Sequence, residues 1–162
     1  EATVRLTAEI ADGWLPLGYV PESAPLYEQW IAAGLAKSGR KRENFEIQVG
    51  TQVDVTDDVK GALDKLKPGI ALYVGGMGHK NKNFHKEMMI RRGFGAAAER
   101  IQELYLAGKK NEAAMAVPNQ LADEIALVGP AARIRERLQA WRAENLPLVK
   151  EGGGKQKAGA TP

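Results

Sequence analysis

Residues 75 to 92 concentrate the side chains that could bind or process a ligand. The segment opens with Gly75-Gly76-Met77-Gly78, and glycine-rich turns can wrap phosphate groups. The dinucleotide-binding pattern would need a glycine where Asn81 stands and a strand before the turn, whereas the residues before it have helical spacing. The P-loop pattern is also unmet. We therefore favour a turn that ends a helix over a phosphate-binding loop.

The same segment holds both histidines of the chain, His79 and His85. Six residues apart on a helix, they would point in different directions, and no third ligand follows at metal-binding spacing. A surface role is favoured, and we predict no bound metal. The chain has no cysteine, which excludes disulfides, thiolate nucleophiles and cysteine-ligated zinc or iron–sulfur sites.

Five cations surround Phe84, namely Lys80, Lys82, Lys86, Arg91 and Arg92. Three interpretations stay open: a solvated face, a site for a cofactor or substrate phosphate, and a nucleic-acid surface. The solvated face is favoured, because no recognised nucleic-acid motif accompanies these charges and the net charge of the chain is only +3. Binding to nucleic acid would depend steeply on salt.

Apolar and polar residues alternate from Phe45 to Val55. This period of two predicts one continuous strand with an apolar and a polar face. In an antiparallel sheet the polar face would contact water. In a parallel barrel, polar residues near the carboxyl end of a strand line the mouth of the active site, and Gln52 and Asp54 would stand there.

The rest of the pattern alternates helices with short strands, which indicates an α/β fold. Apart from the strand at 45–55, we predict short strands over 14–20 and 146–149. Pro68-Gly69 is predicted to kink or restart a helix. The predicted helices cover residues 1–10, 24–38, 59–66, part of 79–92, 94–108, 111–116, 118–127 and 130–141.

The chain has 162 residues, enough for one domain with a substantial core. We predict a folded domain over residues 1–150 and a disordered tail rich in glycine and lysine over 151–162. No apolar run approaches the roughly 18 residues of a membrane span, and no signal peptide is visible, so a cytoplasmic protein is expected. A helix that starts at Glu1, with no initiator Met, is typical of a fragment.

Four motifs resemble one enzyme family. The run from Ala8 to Trp14 resembles the helix-to-strand junction of the bacterial luciferase-like flavin oxidoreductases. Residues 72–78 with Asn83-Phe84 after them, residues 116–119 and residues 126–130 resemble the deazaflavin-dependent branch of that family. The motifs keep the family's order and approximate spacing along the chain.

The resemblance implies the C-terminal portion of a TIM (β/α)₈ barrel, helix-rich with few parallel strands. It implies an oxidoreductase that uses coenzyme F420, or alternatively FMN, for hydride transfer or monooxygenation of a small-molecule substrate. Such a barrel needs roughly 250 residues, and the family's phosphate-binding loop would precede Glu1. The cofactor contacts expected in this half are Thr3 and Arg5 near phosphate, Trp14 and Tyr19 near the ring, and Gln52 and Asp54 at the mouth.

For the isolated chain we predict no activity of its own. The leading alternative is a structural half-barrel that pairs with the absent N-terminal half or with a second copy, since half a barrel leaves strand edges open. A basic nucleic-acid-binding module is the third and least favoured interpretation.

Overall fold

The computed structural model describes residues 1–143 of the chain. Leu72–Gly76 and Ile90–Phe94 are π-helical turns. The helices are Ala2–Ile10 (α1), Ala24–Ser38 (α2), Val59–Ala71 (α3), Phe84–Met89 (α4), Gly95–Leu106 (α5), Lys110–Met115 (α6), Asn119–Glu124 (α7) and Ala131–Ala143 (α8). The strands are Gly13–Trp14 (β1), Glu46–Ile47 (β2), Gln52–Val55 (β3) and Ala126–Gly129 (β4).

The strands form two parallel pairs. β1 pairs with β2, with Trp14 opposite Ile47, and β3 pairs with β4, with Gln52 opposite Ala126. Parallel strands need a crossover between them, and helices supply it here. The expected helix-rich α/β architecture with few parallel strands is therefore present. The predicted strand over 146–149 and the predicted tail over 151–162 lie outside the described residues.

The prediction of one continuous strand from Phe45 to Val55 is wrong. The stretch divides into β2 and β3, because its pairing passes from β1 to β4 between Gln48 and Gln52. The predicted apolar face divides with it. Phe45 and Ile47 are buried, whereas Val53 is 56% exposed and Val55 is 68% exposed.

The helix predicted over 118–127 is wrong in its second half. α7 ends at Glu124, and Ala126–Gly129 forms β4 with all four residues buried. A short apolar run reads equally well as a buried strand or as a helix segment, and only its parallel pairing with β3 distinguishes the two. The strand predicted over 14–20 is likewise limited to Gly13–Trp14.

The long connection from β3 to β4, residues 56–125, is called the helical excursion below. It begins as predicted, because the Asp58 side chain accepts a hydrogen bond from the backbone N–H of Gly61 at 2.9 Å and so caps α3. Pro68 lies inside α3, so of the predicted kink or restart the restart is wrong, and the kink stays a prediction. Within residues 1–143, no helix is long and apolar enough to span a bilayer.

Two hydrophobic cores meet at β4. The first core joins α1, α2, β2 and Trp141 of α8, and it includes Leu127. The second core joins α3, α5, α6 and α7, and it includes Ala126 and Val128. Because successive residues of a strand point to opposite faces, β4 is covered on both sides, as is typical of strands in parallel sheets.

Candidate functional site

An apolar cavity of about 280 Å³ lies between the helical excursion and the loop after β1. Leu17 and Gly18 form its rim on the loop side, and α3, α4 and α7 form most of the wall. A concave apolar site with a few converging polar groups is the usual form of a small-molecule pocket. The cavity is therefore the strongest candidate for a ligand site among the residues described.

His85 is one of two basic side chains in the cavity wall. Its imidazole ring contacts the Tyr73 ring edge-to-face, with 4.9 Å between the ring centroids. Burial lowers the pKa of the His85 imidazole below its ordinary value of 6.5, since the charged form loses solvation there. At neutral pH the ring is therefore uncharged, with one nitrogen able to donate and the other able to accept a hydrogen bond.

Arg92 is the other basic side chain in the wall, and its charge is already matched. Its guanidinium donates to the Glu124 carboxylate, and the two side chains are only 4% and 12% exposed. The Arg92 guanidinium also lies 5.7 Å from the centroid of the Phe94 ring. Because a buried pair of this kind is neutral overall, Arg92 brings little net charge to the cavity.

A second ion pair ties the start of α2 to the last helix. Arg137 of α8 donates to the Glu22 carboxylate at 2.8 Å. Burial by itself raises the pKa of the Glu22 carboxyl, but the hydrogen bond and the charge of Arg137 outweigh it and hold that pKa below 4.5. The contact braces α8 against the segment that leads into α2.

The glycine-rich turn serves helix packing. A Cβ on Gly75 or Gly76 would lie 2.5 Å or 2.4 Å from atoms of the Tyr105 side chain, so both glycines allow α5 to approach closely. The buried Asn83 amide donates to the carbonyl oxygens of Tyr73 and Val74 at 3.2 Å and 2.9 Å. The interpretation of this turn as the end of a helix is confirmed, since a π-helical turn continues α3 through Gly76.

The solvated face favoured for the basic segment is wrong for Lys86 and Arg92, whose side chains are only 14% and 4% exposed. Lys86 contacts Glu99 at 2.6 Å, and the Arg91 guanidinium lies 5.4 Å from the Trp30 ring centroid. Lys80 and Lys82 are exposed on the turn before α4. In the part of the chain that the structure describes, no group of three acidic or histidine side chains is placed to hold a metal ion.

Thr3 and Arg5, the residues predicted near a phosphate, lie on the first turns of α1. Thr3 is exposed, and Arg5 pairs with the Glu1 carboxylate at 2.9 Å. An anion at this helix end would therefore compete with Glu1 for Arg5. The free N–H groups of the first turn remain favourable to an anion.

Trp14 and Tyr19, the residues predicted near a cofactor ring, lie in one aromatic cluster. Their ring centroids are 6.3 Å apart, and both rings pack against Tyr27 of α2. Trp14 is half-buried, whereas Tyr19 is only 2% exposed. Tyr19 is thus held within the first core, and Trp14 keeps part of its ring accessible.

Gln52 and Asp54 lie on β3, which is not in the same sheet as β1. Gln52 is exposed at the first residue of β3, and Asp54 is half-buried two residues further on. The six predicted contacts therefore lie in pairs on α1, around β1 and on β3. Their roles as cofactor contacts stay a prediction.

The surface role favoured for His85 is wrong, because its half-buried ring lines the cavity, and the cavity itself was not predicted. Tyr73, Met89 and Arg92 carry no common motif, and Leu17 lies more than fifty residues before them. Their convergence depends on the course of the helical excursion back to the loop after β1. The resemblance motif over residues 72–78 was the one local signal, because Tyr73 and Val74 belong to it.

Comparison with known proteins gives the family directly. The family of luciferase-like monooxygenases matches residues 1–146. The chain belongs to this family. A Mycobacterium tuberculosis member, provisionally named a coenzyme F420-dependent oxidoreductase, is 39% identical over 148 residues, which are 90% of this chain and 43% of that protein.

A solved structure has the same fold. The coenzyme F420-dependent tetrahydromethanopterin reductase from Methanopyrus kandleri superposes with a TM-score of 0.69 at 18% identity, over 90% of this chain and 40% of that one. The expected luciferase-like fold, related to the TIM barrel, is confirmed, whereas the assignment to its C-terminal portion stays a prediction. The chain spans less than half the length of both relatives.

Proposed function

We propose that the chain is the C-terminal portion of an F420-dependent oxidoreductase that acts on a small-molecule substrate. The observation that carries this proposal is the 39% identity to the F420-dependent relative over 90% of the chain. When bound, the cofactor would supply a hydride, and the protein would hold and orient it. FMN is the alternative cofactor.

The geometry supports a cofactor site that is incomplete in this chain. Arg5 is engaged by Glu1, Tyr19 is buried, and Gln52 and Asp54 lie on a separate strand pair. A barrel places its ligand at the carboxyl ends of strands from all around the ring, and the relatives have more than twice this length. We infer that cofactor binding needs the rest of such a barrel.

A chimera tests this proposal. This chain would replace the matching 43% of the M. tuberculosis relative, and F420 and FMN would be titrated into the purified chimera by fluorescence. We expect saturable F420 binding that is at least about tenfold tighter than FMN binding, a difference of about 1.4 kcal/mol. If the chimera has native-like circular dichroism but does not bind F420, the proposal is contradicted.

Self-association is the second candidate function for the isolated chain. Val53 and Val55 expose much of their side chains on β3, and Leu15 and Leu17 are each 73% exposed after β1. Apolar strand faces of this kind are usually covered by another sheet or another chain. A second copy could cover them when the remaining barrel strands do not.

Sedimentation velocity of the wild-type chain tests that candidate. We expect a concentration-dependent dimer that the Val53→Lys/Val55→Lys double variant abolishes. Met115→Lys is the matched control, since Met115 is 82% exposed but lies on α6, away from the strands. A wild-type chain that stays monomeric at every concentration would exclude self-association.

A further inference from the structure

The cavity beside His85 has the features of a ligand site that does not depend on the cofactor. It lies between the helical excursion and the loop after β1, and none of the six predicted cofactor contacts lines it, although Gly18 in its wall directly precedes Tyr19. Its volume of about 280 Å³ suits a molecule with one ring and a short substituent. The part of the wall that reaches solvent is mostly apolar.

The charges in the wall argue against an ionic ligand. Arg92 is paired with Glu124, and the His85 ring is neutral at physiological pH. A charged ligand would lose its hydration on entering this cavity and would meet no unmatched counter-charge. An uncharged molecule avoids that cost.

His85 supplies the polar contact that such a ligand needs. Neither of its ring nitrogens has a hydrogen-bond partner within residues 1–143, and the ring is held by its edge-to-face contact with Tyr73. A half-buried imidazole with open nitrogens gives a directional contact in a mainly apolar space, in which the buried Arg92 Nε–H is a second donor without a hydrogen-bond partner in the described residues. Specificity in apolar pockets usually comes from a small number of such groups.

We propose that this cavity binds a small, uncharged, mainly apolar molecule that forms a hydrogen bond with His85. The wall residues Leu66, Ile70 and Met89 contact its apolar body. The occupant class is a neutral monocyclic amide, ketone or alcohol. This inference does not rest on the proposed cofactor, so it can be tested on the chain as it is.

Methionine methyl and histidine ring NMR signals give the test. Met89 and His85 line the cavity, while Met115 and His79 are exposed elsewhere and serve as internal controls. The probes are benzamide and benzoate, which have the same shape but differ in charge, and toluene, which lacks a hydrogen-bonding group. Each probe would be titrated to its solubility limit at neutral pH.

We expect benzamide to shift the Met89 and His85 signals with a dissociation constant that is roughly millimolar, as befits a ligand of so few atoms. The Met115 and His79 signals should stay in place. Benzoate should bind at least about tenfold more weakly than benzamide, because its charge must be desolvated. Equal binding of the two would overturn the claim that the ligand is uncharged, and unchanged Met89 and His85 signals would overturn the site itself.

A His85→Phe variant isolates the hydrogen bond. Phenylalanine keeps an aromatic ring against Tyr73 but removes both nitrogens. Benzamide affinity should fall about three- to tenfold, the usual net effect of one hydrogen bond, while toluene affinity should change by less than about twofold. His79→Phe is the matched control and should change neither. Equal losses for benzamide and toluene, or no loss for benzamide, would refute a hydrogen bond from His85.

Discussion

The first 47 residues and the helical excursion differ in how closely their side chains pack. In the first region, α1 and α2 pack closely, and the rings of Trp14, Tyr19, Tyr27 and Trp30 interlock with centroid separations of 4.9 to 6.3 Å. In the helical excursion, two π-helical turns interrupt the helices and an open cavity remains. Side chains therefore fill the first region, whereas the excursion leaves space for a ligand.

The largest expected effect comes from breaking the buried ion pair of the excursion. Glu124→Gln should lower the free energy of unfolding by about 3 kcal/mol or more, because Arg92 would keep a buried charge without a counter-charge. Glu103→Gln, which loses an exposed pair with Arg100, should cost less than about 1 kcal/mol. Urea denaturation measures both, and equal costs would mean that the Arg92 pair is not buried as described.

Close helix packing in the first region gives the next effect. A Cβ on Gly34 would lie 2.2 Å from the backbone carbonyl oxygen of Arg5, so Gly34→Ala should cost about 1 to 3 kcal/mol. Gly69→Ala in the excursion meets no atom within 4 Å and should be neutral or stabilising by up to about 1 kcal/mol. If thermal denaturation ranks the two variants the other way, the contrast in packing is wrong.

A variant at Asp58 tests how much the N-terminal cap of α3 contributes to stability. Asp58→Ala removes the acceptor for the Gly61 N–H and should cost about 1 kcal/mol. The neighbouring Asp57→Ala is the control, since Asp57 is exposed and Asp58 is the N-cap residue of the helix. A loss at Asp57 as large as that at Asp58 would argue against the observed cap.

The smallest effect concerns pH. The pKa of His85 is lower in the folded protein than in the unfolded chain, so the unfolded state binds the proton first. This contribution to stability is complete at neutral pH and is lost as pH falls from about 6.5 toward the folded pKa. His85→Phe should flatten that part of the stability curve, whereas His79→Phe should leave it unchanged. The same slope in wild type and His85→Phe would show that the imidazole is not buried against the cavity wall.

Local signals in the sequence predicted most of the helices and the family. The predicted helices over 24–38 and 59–66 begin where α2 and α3 begin, and Asp58 caps α3, because such helix-end signals depend on neighbouring residues alone. The motif from Ala8 to Trp14 likewise covers the α1–β1 junction as predicted. The predicted relation to luciferase-like proteins is confirmed by the family match over residues 1–146.

The structural features that the sequence did not predict depend on contacts between distant parts of the chain. Residues 45–55 divide into β2 and β3 because the first part pairs with β1 and the second part pairs with β4. β4 was not predicted because its short apolar run is equally compatible with a helix. The cavity is likewise a product of three-dimensional assembly, since Leu17, Tyr73 and Leu121 approach one another only through tertiary contacts. Local sequence patterns do not predict such contacts.

We propose that this chain has a ligand cavity of its own but only part of a cofactor site. One NMR titration of the isolated chain tests both halves, with benzamide and F420 added separately while the Met89, His85 and aromatic signals are followed. We expect that benzamide shifts the cavity signals and that F420 at micromolar concentration shifts none. Saturable micromolar binding of F420, or unchanged Met89 and His85 signals with benzamide, would contradict this proposal.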